Sequence, residues 1–359
     1  MAVHTAVAPG PPMPSGPIGG PAAWRGADLV ASSAWLRVFS AAELEELDRA
    51  MRAVRTRGLD LVHVRRDDFP LPTLGRVLDA IRHELLRGRG FVLLRGLDVA
   101  RYSMAEIATI YWGLGAHLGR AVSQNGQGHA LGHVRDLGYD LKDPRVRTYQ
   151  TTERQYYHTD SVDLVGLLCL RQARRGGLSS IVSSVTVHDE LRARHPDLLP
   201  ALFEPFYTDR RGEVPPGMAP WFELPVYHWH AGQLSAIYSR RYLDSAQRFP
   251  EVPRLTDRQR AALDTFDALL EDPALHLMMA FEPGDIQLLH NHQILHDRTT
   301  YEDWLEPERK RHLLRLWLCP PDGRPLPACY AQRYGSVEIG NRGGIVLAGA
   351  PLLAPLDPV

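Results

Sequence analysis

The chain has 359 residues, of which 44% are apolar and 23% charged, the balance of an ordinary folded protein. Its 41 Lys+Arg stand against 42 Asp+Glu, net −1, so the basic excess of a nucleic-acid binder is missing. Three cysteines (Cys169, Cys319 and Cys329) without CxxC spacing argue against a disulfide framework or a thiolate zinc site and suit a reducing cytoplasm. No run of about 18 apolar residues predicts a membrane span, and the N-terminus lacks the basic-then-apolar pattern of a signal peptide.

Residues 1–22 are rich in Pro, Gly and Ala and are read as a disordered tail, with residues 23–359 as one domain. Ser40-Ala-Ala-Glu43 reads as a capping box opening a helix to about Val54. A second helix is predicted from about Thr73 to Leu86, followed by a short buried strand at Phe91–Leu94. A second capping box, Ser103-Met-Ala-Glu106, starts a helix ending near Gly115–Gly119. Residues 120–145 are polar and Gly-rich and are read as a substrate-facing lid. Beyond them the pattern is strand-like: Val146–Gln150, Gln155–Ser161, Leu164–Arg171 and Ser180–Ser184, with a turn at Arg174–Gly177. Thr186 is read as capping a helix to about Arg194, and Pro196–Phe203 as a further helical turn or two. Strands follow at Phe222–Trp229 and Gln233–Tyr238, then a helix over Thr256–Leu270. The last strands are Leu275–Phe281, Asp285–Leu289, Gln293–His296 and His312–Cys319. Helices followed by many short strands predict an α+β domain around a β-barrel or jelly roll, from about residue 90 to 320.

The feature with most chemical content is His158-Thr-Asp160. In a strand, residues i and i+2 share a face about 7 Å apart, so imidazole and carboxylate project together. A second histidine would complete a two-His-one-carboxylate set with open metal positions. His195-Pro-Asp197 has the same spacing and His188-Asp-Glu190 nearly so, but both read as helical, where such neighbours diverge. Three more histidines, His290, His292 and His296, follow in a strand–turn–strand segment. Arg311 and Arg315 open an apolar strand, four residues apart and so on one face.

The order GFVLLRG, HTD, a Gly-Gly turn with a following hydroxyl residue, NxxxxHxR and RxxxR resembles the TauD/TfdA family of Fe(II)- and 2-oxoglutarate-dependent dioxygenases, clavaminate synthase-like enzymes among them. The likeness spans about residues 90–320. It implies a double-stranded β-helix core, jelly-roll and cupin-like, flanked by helices. It further implies Fe(II) held by His158, Asp160 and His296, leaving His290 and His292 outside the ligand set, with His290 a barrel-wall histidine or one that supports a ligand from behind. Arg311 would take the distal carboxylate of 2-oxoglutarate, a group that suits the planar guanidinium fork. A hydroxyl after the Gly-Gly turn would assist. The family often has Thr there, whereas this chain offers Ser179 or Ser180. Arg315, Tyr156, Gln124 and Asn125 are candidates for the primary substrate. Tyr149, Tyr157 and Trp229 are read as core.

The implied reaction consumes O2 and 2-oxoglutarate, releases succinate and CO2, and hydroxylates an unactivated C–H bond of a small anionic or amino-acid-like metabolite. Asp160 speaks against halogenation, since halogenating relatives carry a small residue there. Desaturation or ring formation in a natural-product pathway uses the same chemistry and stays open. A zinc hydrolase or a non-catalytic barrel would leave Arg311 and Ser179 unexplained. The expected partner is a small molecule, with neither nucleic acid nor membrane, and a monomer and a homo-oligomer are both open.

Overall fold

The computed structural model describes residues 12–143, 146–347 and 349–358. Its framework is two facing sheets. The larger runs, in spatial order, through Leu36–Val38, Phe91–Arg95, Ile286–His290, Leu164–Arg171, His312–Cys319 and Arg120–Ala121, with Leu131–Val134 also paired to His312–Cys319. The smaller runs through Leu277–Met279, Ser179–Ser183, Ile294–Arg298 and Gln155–His158. Non-consecutive strands lie side by side, as a double-stranded β-helix requires.

Strand alternation explains the layers. Phe91, Leu93, Leu289, Leu313 and Trp317 point between the sheets and meet Ile181, Leu277 and Ile294 from the smaller sheet. Their neighbours Val92, Leu94, Leu288, Leu314 and Leu316 point outward and pack under the helices Ala41–Thr56, Leu74–Arg87 and Met104–Leu118. On the other side Tyr157, Val182 and Leu295 pack outward with Phe266 of the helix Asp257–Leu270. Because both faces of the large sheet are covered, its strands read as continuous apolar runs. Both expected capping boxes form, with Ser40 accepting from the Glu43 amide and Ser103 from the Glu106 amide. No helix among the described residues is long and apolar enough to cross a membrane.

Several expectations are corrected. Residues 12–22, read as loose, dock on the helix Ser184–Arg194: the Ile18 and Gly19 amides donate to Asp189, both at 2.9 Å, and Arg192 donates to the Ser15 carbonyl. A few apolar contacts by Met13 and Ile18 complete the attachment, so side-chain acceptors replace the core that the composition lacks. Residues 1–11 lie outside the described residues. The cap of Ser184–Arg194 is Ser183, not Thr186, whose amide it receives. The segment read as a strand at 146–150 holds a 3₁₀ turn, Thr148–Gln150. The strand predicted over 222–229 is two, Trp221–Leu224 and Tyr227–His230, because Pro225 has no amide for a ladder. The helix Arg240–Ala246 was not foreseen. The segment 120–143 is not one continuous loop, because Arg120–Ala121 and Leu131–Val134 are strands of the large sheet, while Gln124 and Leu141 line a cleft. Positions 144 and 145 of that segment lie outside the described residues.

Candidate active site

His158 and His296 stand directly opposite each other on neighbouring antiparallel strands, and the ladder shifts just beyond them. Their ring centroids are 4.1 Å apart. Asp160 lies just past the end of its strand, held by the Asn291 side chain, which accepts from the Asp160 amide at 2.7 Å and donates to the Asp160 and Val162 carbonyls. Nε2 of each histidine lies 3.8 Å from a carboxylate oxygen of Asp160. One ligand atom from each of the three residues falls within 4.8 Å of the others, the one such group found among the described residues.

The electrostatics suit a cation. Nδ1 of His158 donates to the Tyr156 carbonyl at 2.9 Å, which leaves the Nε2 lone pair facing the site. The Gln155 amide donates to that nitrogen at 2.9 Å and would have to swing aside for a metal. Burial pushes His158 below the usual imidazole range and His296 down to about 3, so both rings are neutral ligands at neutral pH. Burial alone would raise Asp160. Arg315, the two histidines and the Trp317 indole nevertheless hold it below the usual carboxylate range, so it is an anion. Trp317 Nε1 donates to one of its oxygens at 2.8 Å. Two neutral imidazoles and one carboxylate are the donor set of a divalent non-haem iron site with open positions, and the residues fit that ion.

Next to the triad is a small cavity of about 40 Å³, lined by His158, His296, Ser179, Arg298 and Arg311 among others. Arg311 is 4% exposed, and its Nη1 has no partner among the described residues. Room for it is made by Gly177, at φ +68°, where a Cβ would come within 2.9 Å of Arg311 Nε. Ser179 faces this cavity, whereas Ser180 turns to the other side of its strand and meets the Tyr157 hydroxyl at 2.5 Å. Of the two serines, only Ser179 shares a wall with Arg311. Arg298 ends the NxxxxHxR segment. It is buried here, is bound to the Thr151 and Glu153 carbonyls and has its Nε unpartnered, adding a second cation to the same wall.

A larger cleft of about 380 Å³ opens on the other side of His158 and Asp160. Tyr156 lines it, 65% exposed and beneath the Arg154 guanidinium. Arg315 lines both cavities. It lies over Tyr149 and Trp317, donates from Nε to Gln124 at 2.6 Å, and approaches Asp160 at 3.5 Å. Gln124 is therefore at the site, anchored by its own amide to the Ala130 and Arg315 carbonyls. Asn125 does not line the cleft; its side chain closes a local turn with Gln127 and His129. Tyr149 and Tyr157, both read as core, pack in or against core clusters and also line the cleft, while Trp229 packs beside Tyr157's cluster. His290 and His292 bind Arg324 and Asp163 instead. His188 bonds Asp189, and His195 is the C-cap of its helix rather than within it.

Sequence reasoning missed Trp317, although it falls two residues after Arg315 and so on the same face. It also missed Asn291 as the clamp of Asp160. Arg333, on the short helix Ala331–Tyr334, had no periodic pattern to announce it.

Comparison with known proteins places these features in a class. The chain belongs to the taurine catabolism dioxygenase TauD, TfdA family, whose profile matches residues 55–317. It is thus an enzyme of the 2-oxoglutarate-dependent non-haem iron dioxygenase class. It is 33% identical over 320 residues to FR-33289 synthase of Streptomyces rubellomurinus, covering 87% of this chain and 93% of the relative. It is 28% identical to a taurine hydroxylase-like protein, SAT17, of Stachybotrys chartarum, over 83% and 81% of the two chains. Among solved structures, asparagine oxygenase in complex with Fe(II), 3-hydroxyasparagine and succinate aligns with TM-score 0.59 at 16% identity, over 79% of this chain and 93% of that one. The non-haem iron oxygenase OrfP with Fe and α-ketoglutaric acid aligns at 0.58 and 16%, over the same shares. These structural likenesses carry the jelly-roll fold.

Proposed function

We propose that the enzyme hydroxylates an unactivated C–H bond of a small, anionic or amino-acid-like metabolite, with His158, Asp160 and His296 holding Fe(II). The observation that carries this reading is the convergence of the three ligand atoms between two unlike cavities. One is small and ends on the Arg311 guanidinium, whose Nη1 has no partner among the described residues, as a co-substrate carboxylate needs; the other is large and open, as a substrate needs. With 2-oxoglutarate and O2, bound Fe(II) supplies the oxidising power and yields succinate and CO2.

The chain's own residues do the rest. Arg311 binds the distal carboxylate of 2-oxoglutarate and Ser179 adds a hydroxyl contact. Trp317 and Arg315 orient Asp160 and stabilise its charge, while Asn291 fixes the backbone that carries it. Tyr156 and Arg315 stand where the substrate enters. Relatives point the same way, since the taurine hydroxylase-like protein SAT17 and asparagine oxygenase carry names of that chemistry.

The test is succinate release by the full chain supplied with Fe(II), 2-oxoglutarate and O2, screened across amino acids and small organic anions. A substrate that raises succinate above the uncoupled background and gains one oxygen atom is the expected result. Metal-dependent hydrolysis, with no 2-oxoglutarate consumed, would overturn the reading.

A further inference from the structure

The large cleft carries more positive charge than its chemistry so far uses. Arg147 is ion-paired with Glu213 and also donates to the Tyr242 hydroxyl at 2.8 Å. Arg210, Arg241 and Arg333 line the same cleft, and none of them has an ion-pair partner among the described residues. Arg210 is 3% exposed and spends its donors on the Ala219, Trp221 and Gln332 carbonyls. Arg241 donates to the Thr148 hydroxyl at 2.8 Å and to the Leu141 carbonyl at 3.3 Å. Arg333 donates from Nε to Ser161, the residue after Asp160, at 2.6 Å, and its two terminal nitrogens have no acceptor among the described residues.

These cations feel one another. Burial lowers Arg210 to about 10 and Arg333's charge adds to that, while burial lowers Arg333, with Glu213 attracting it and Arg147 repelling it. Assembling like charges in a partly dry wall is unfavourable unless an anion offsets it. Neutral carbonyls and hydroxyls satisfy their hydrogen bonds but not their charge. A carboxylate or sulfonate brings one negative charge, and a phosphorus oxyanion brings close to two with three acceptor oxygens, the better match to several guanidinium forks.

We propose that this wall of the cleft is a binding subsite for a dianionic phosphorus oxyanion, a phosphate monoester or a phosphonate, on the primary substrate, with Arg333 and Arg241 as its donors. The proposal deepens the hydroxylase reading and rests on it for the identity of the cleft. Arg333 lies C-terminal to the segment that matches the family profile, residues 55–317. Arg241 lies within that segment, so the subsite would join one donor from the family-matched part of the chain to one from beyond it.

The test is calorimetric titration of the full chain, loaded anaerobically with Fe(II) and 2-oxoglutarate, with methylphosphonate, methyl phosphate, methanesulfonate and acetate. Either phosphorus probe should bind at least about tenfold tighter than the two monoanions, and their order tells phosphonate from ester. R333Q and R241Q should each weaken that binding about tenfold or more, and R333K should recover part of it. Wild-type affinity in both glutamine variants, or acetate binding as tightly as methylphosphonate, would overturn the proposal. Failure of the hydroxylase reading looks different: succinate formation would be absent in the wild-type chain, whatever the phosphorus probes do.

Discussion

Two clusters of two histidines and an aspartate lie in this barrel, and they have opposite fates. His158, Asp160 and His296 bring their ligand atoms together at the wall of two cavities. His290, His292 and Asp163 lie fully buried nearby. There, Arg342 grips the Asp163 carboxylate through Nε and Nη2, and His292 adds a third donor at 3.0 Å. Burial pushes Asp163 up, yet these partners bring it down to about 2. His290 is taken by Arg324 at 3.1 Å. A metal centre therefore needs more than the right residue types. Its carboxylate must be charged without being neutralised by a bidentate arginine, and its imidazole lone pairs must face a space. Asp160 receives one indole donor and a guanidinium at 3.5 Å, which leaves coordination capacity. Asp163 has none to spare.

Exchanging the damage between the clusters gives the largest expected effects. His296→Ala should reduce iron-dependent succinate formation by far more than the roughly 10–100-fold typical of losing an outer partner, and iron binding should fail with it. His290→Ala should leave iron bound. Asp163→Ala should do the reverse of His296→Ala, lowering unfolding stability by about 3–5 kcal/mol by stranding Arg342 as a buried charge, with metal content retained in the folded fraction. Equal loss of iron in both variants would erase the distinction drawn here. Trp317→Phe sharpens it, because it removes only the Asp160 donor and should cost about 10–100-fold in iron affinity or turnover.

A second pair of residues separates the cavities. Arg311→Ala should weaken 2-oxoglutarate by about 2–5 kcal/mol, while Arg315→Ala should chiefly disturb Asp160 and the primary substrate. A large 2-oxoglutarate defect in Arg315→Ala alone would exchange their roles. Ser179→Ala should cost about 1.5–3 kcal/mol in 2-oxoglutarate binding, and Ser180→Ala almost nothing, since its hydroxyl is engaged with Tyr157. Equilibrium binding of 2-oxoglutarate to the iron-loaded variants measures all three.

A further effect is one of pH. Burial, with neighbouring cations, lowers His312 to about 3, and lowers His290 too. Their folded values lie below the unfolded value near 6.5, so the unfolded chain binds more protons as the pH drops. Stability should be full above about pH 6.5 and decline below it, each histidine contributing up to about 1.4 kcal/mol per pH unit. Urea midpoints between pH 7.5 and 5 would show the slope, and a flat profile would mean these rings are solvated.

How much of this was legible depended on periodicity. The alternation of Arg311, Leu313, Arg315 and Trp317 is visible in the residues themselves and places both arginines inside. The capping boxes at Ser40 and Ser103 mark helix starts because their chemistry is local. His158 and Asp160 could be paired by spacing, but their partner came from resemblance, since the cross-strand register that opposes His296 to His158 is a long-range fact. Asn291, Arg333 and Arg342 act from a turn, a four-residue helix and an irregular segment, where no pattern marks a side chain's direction. The docking of residues 12–22 depends on Asp189 and Arg192, nearly 180 residues away, and composition alone could not reveal it.

The most direct test is the position of the metal itself. Crystals of the full chain grown with Mn(II) in place of Fe(II), under 2-oxoglutarate and without O2, would report it by anomalous scattering. One peak is expected about 2 Å from His158 Nε2, His296 Nε2 and an Asp160 oxygen, with Gln155 swung away and 2-oxoglutarate reaching Arg311. A peak at His290, His292 and Asp163, or an ordered 2-oxoglutarate with no metal between these three side chains, would contradict the account.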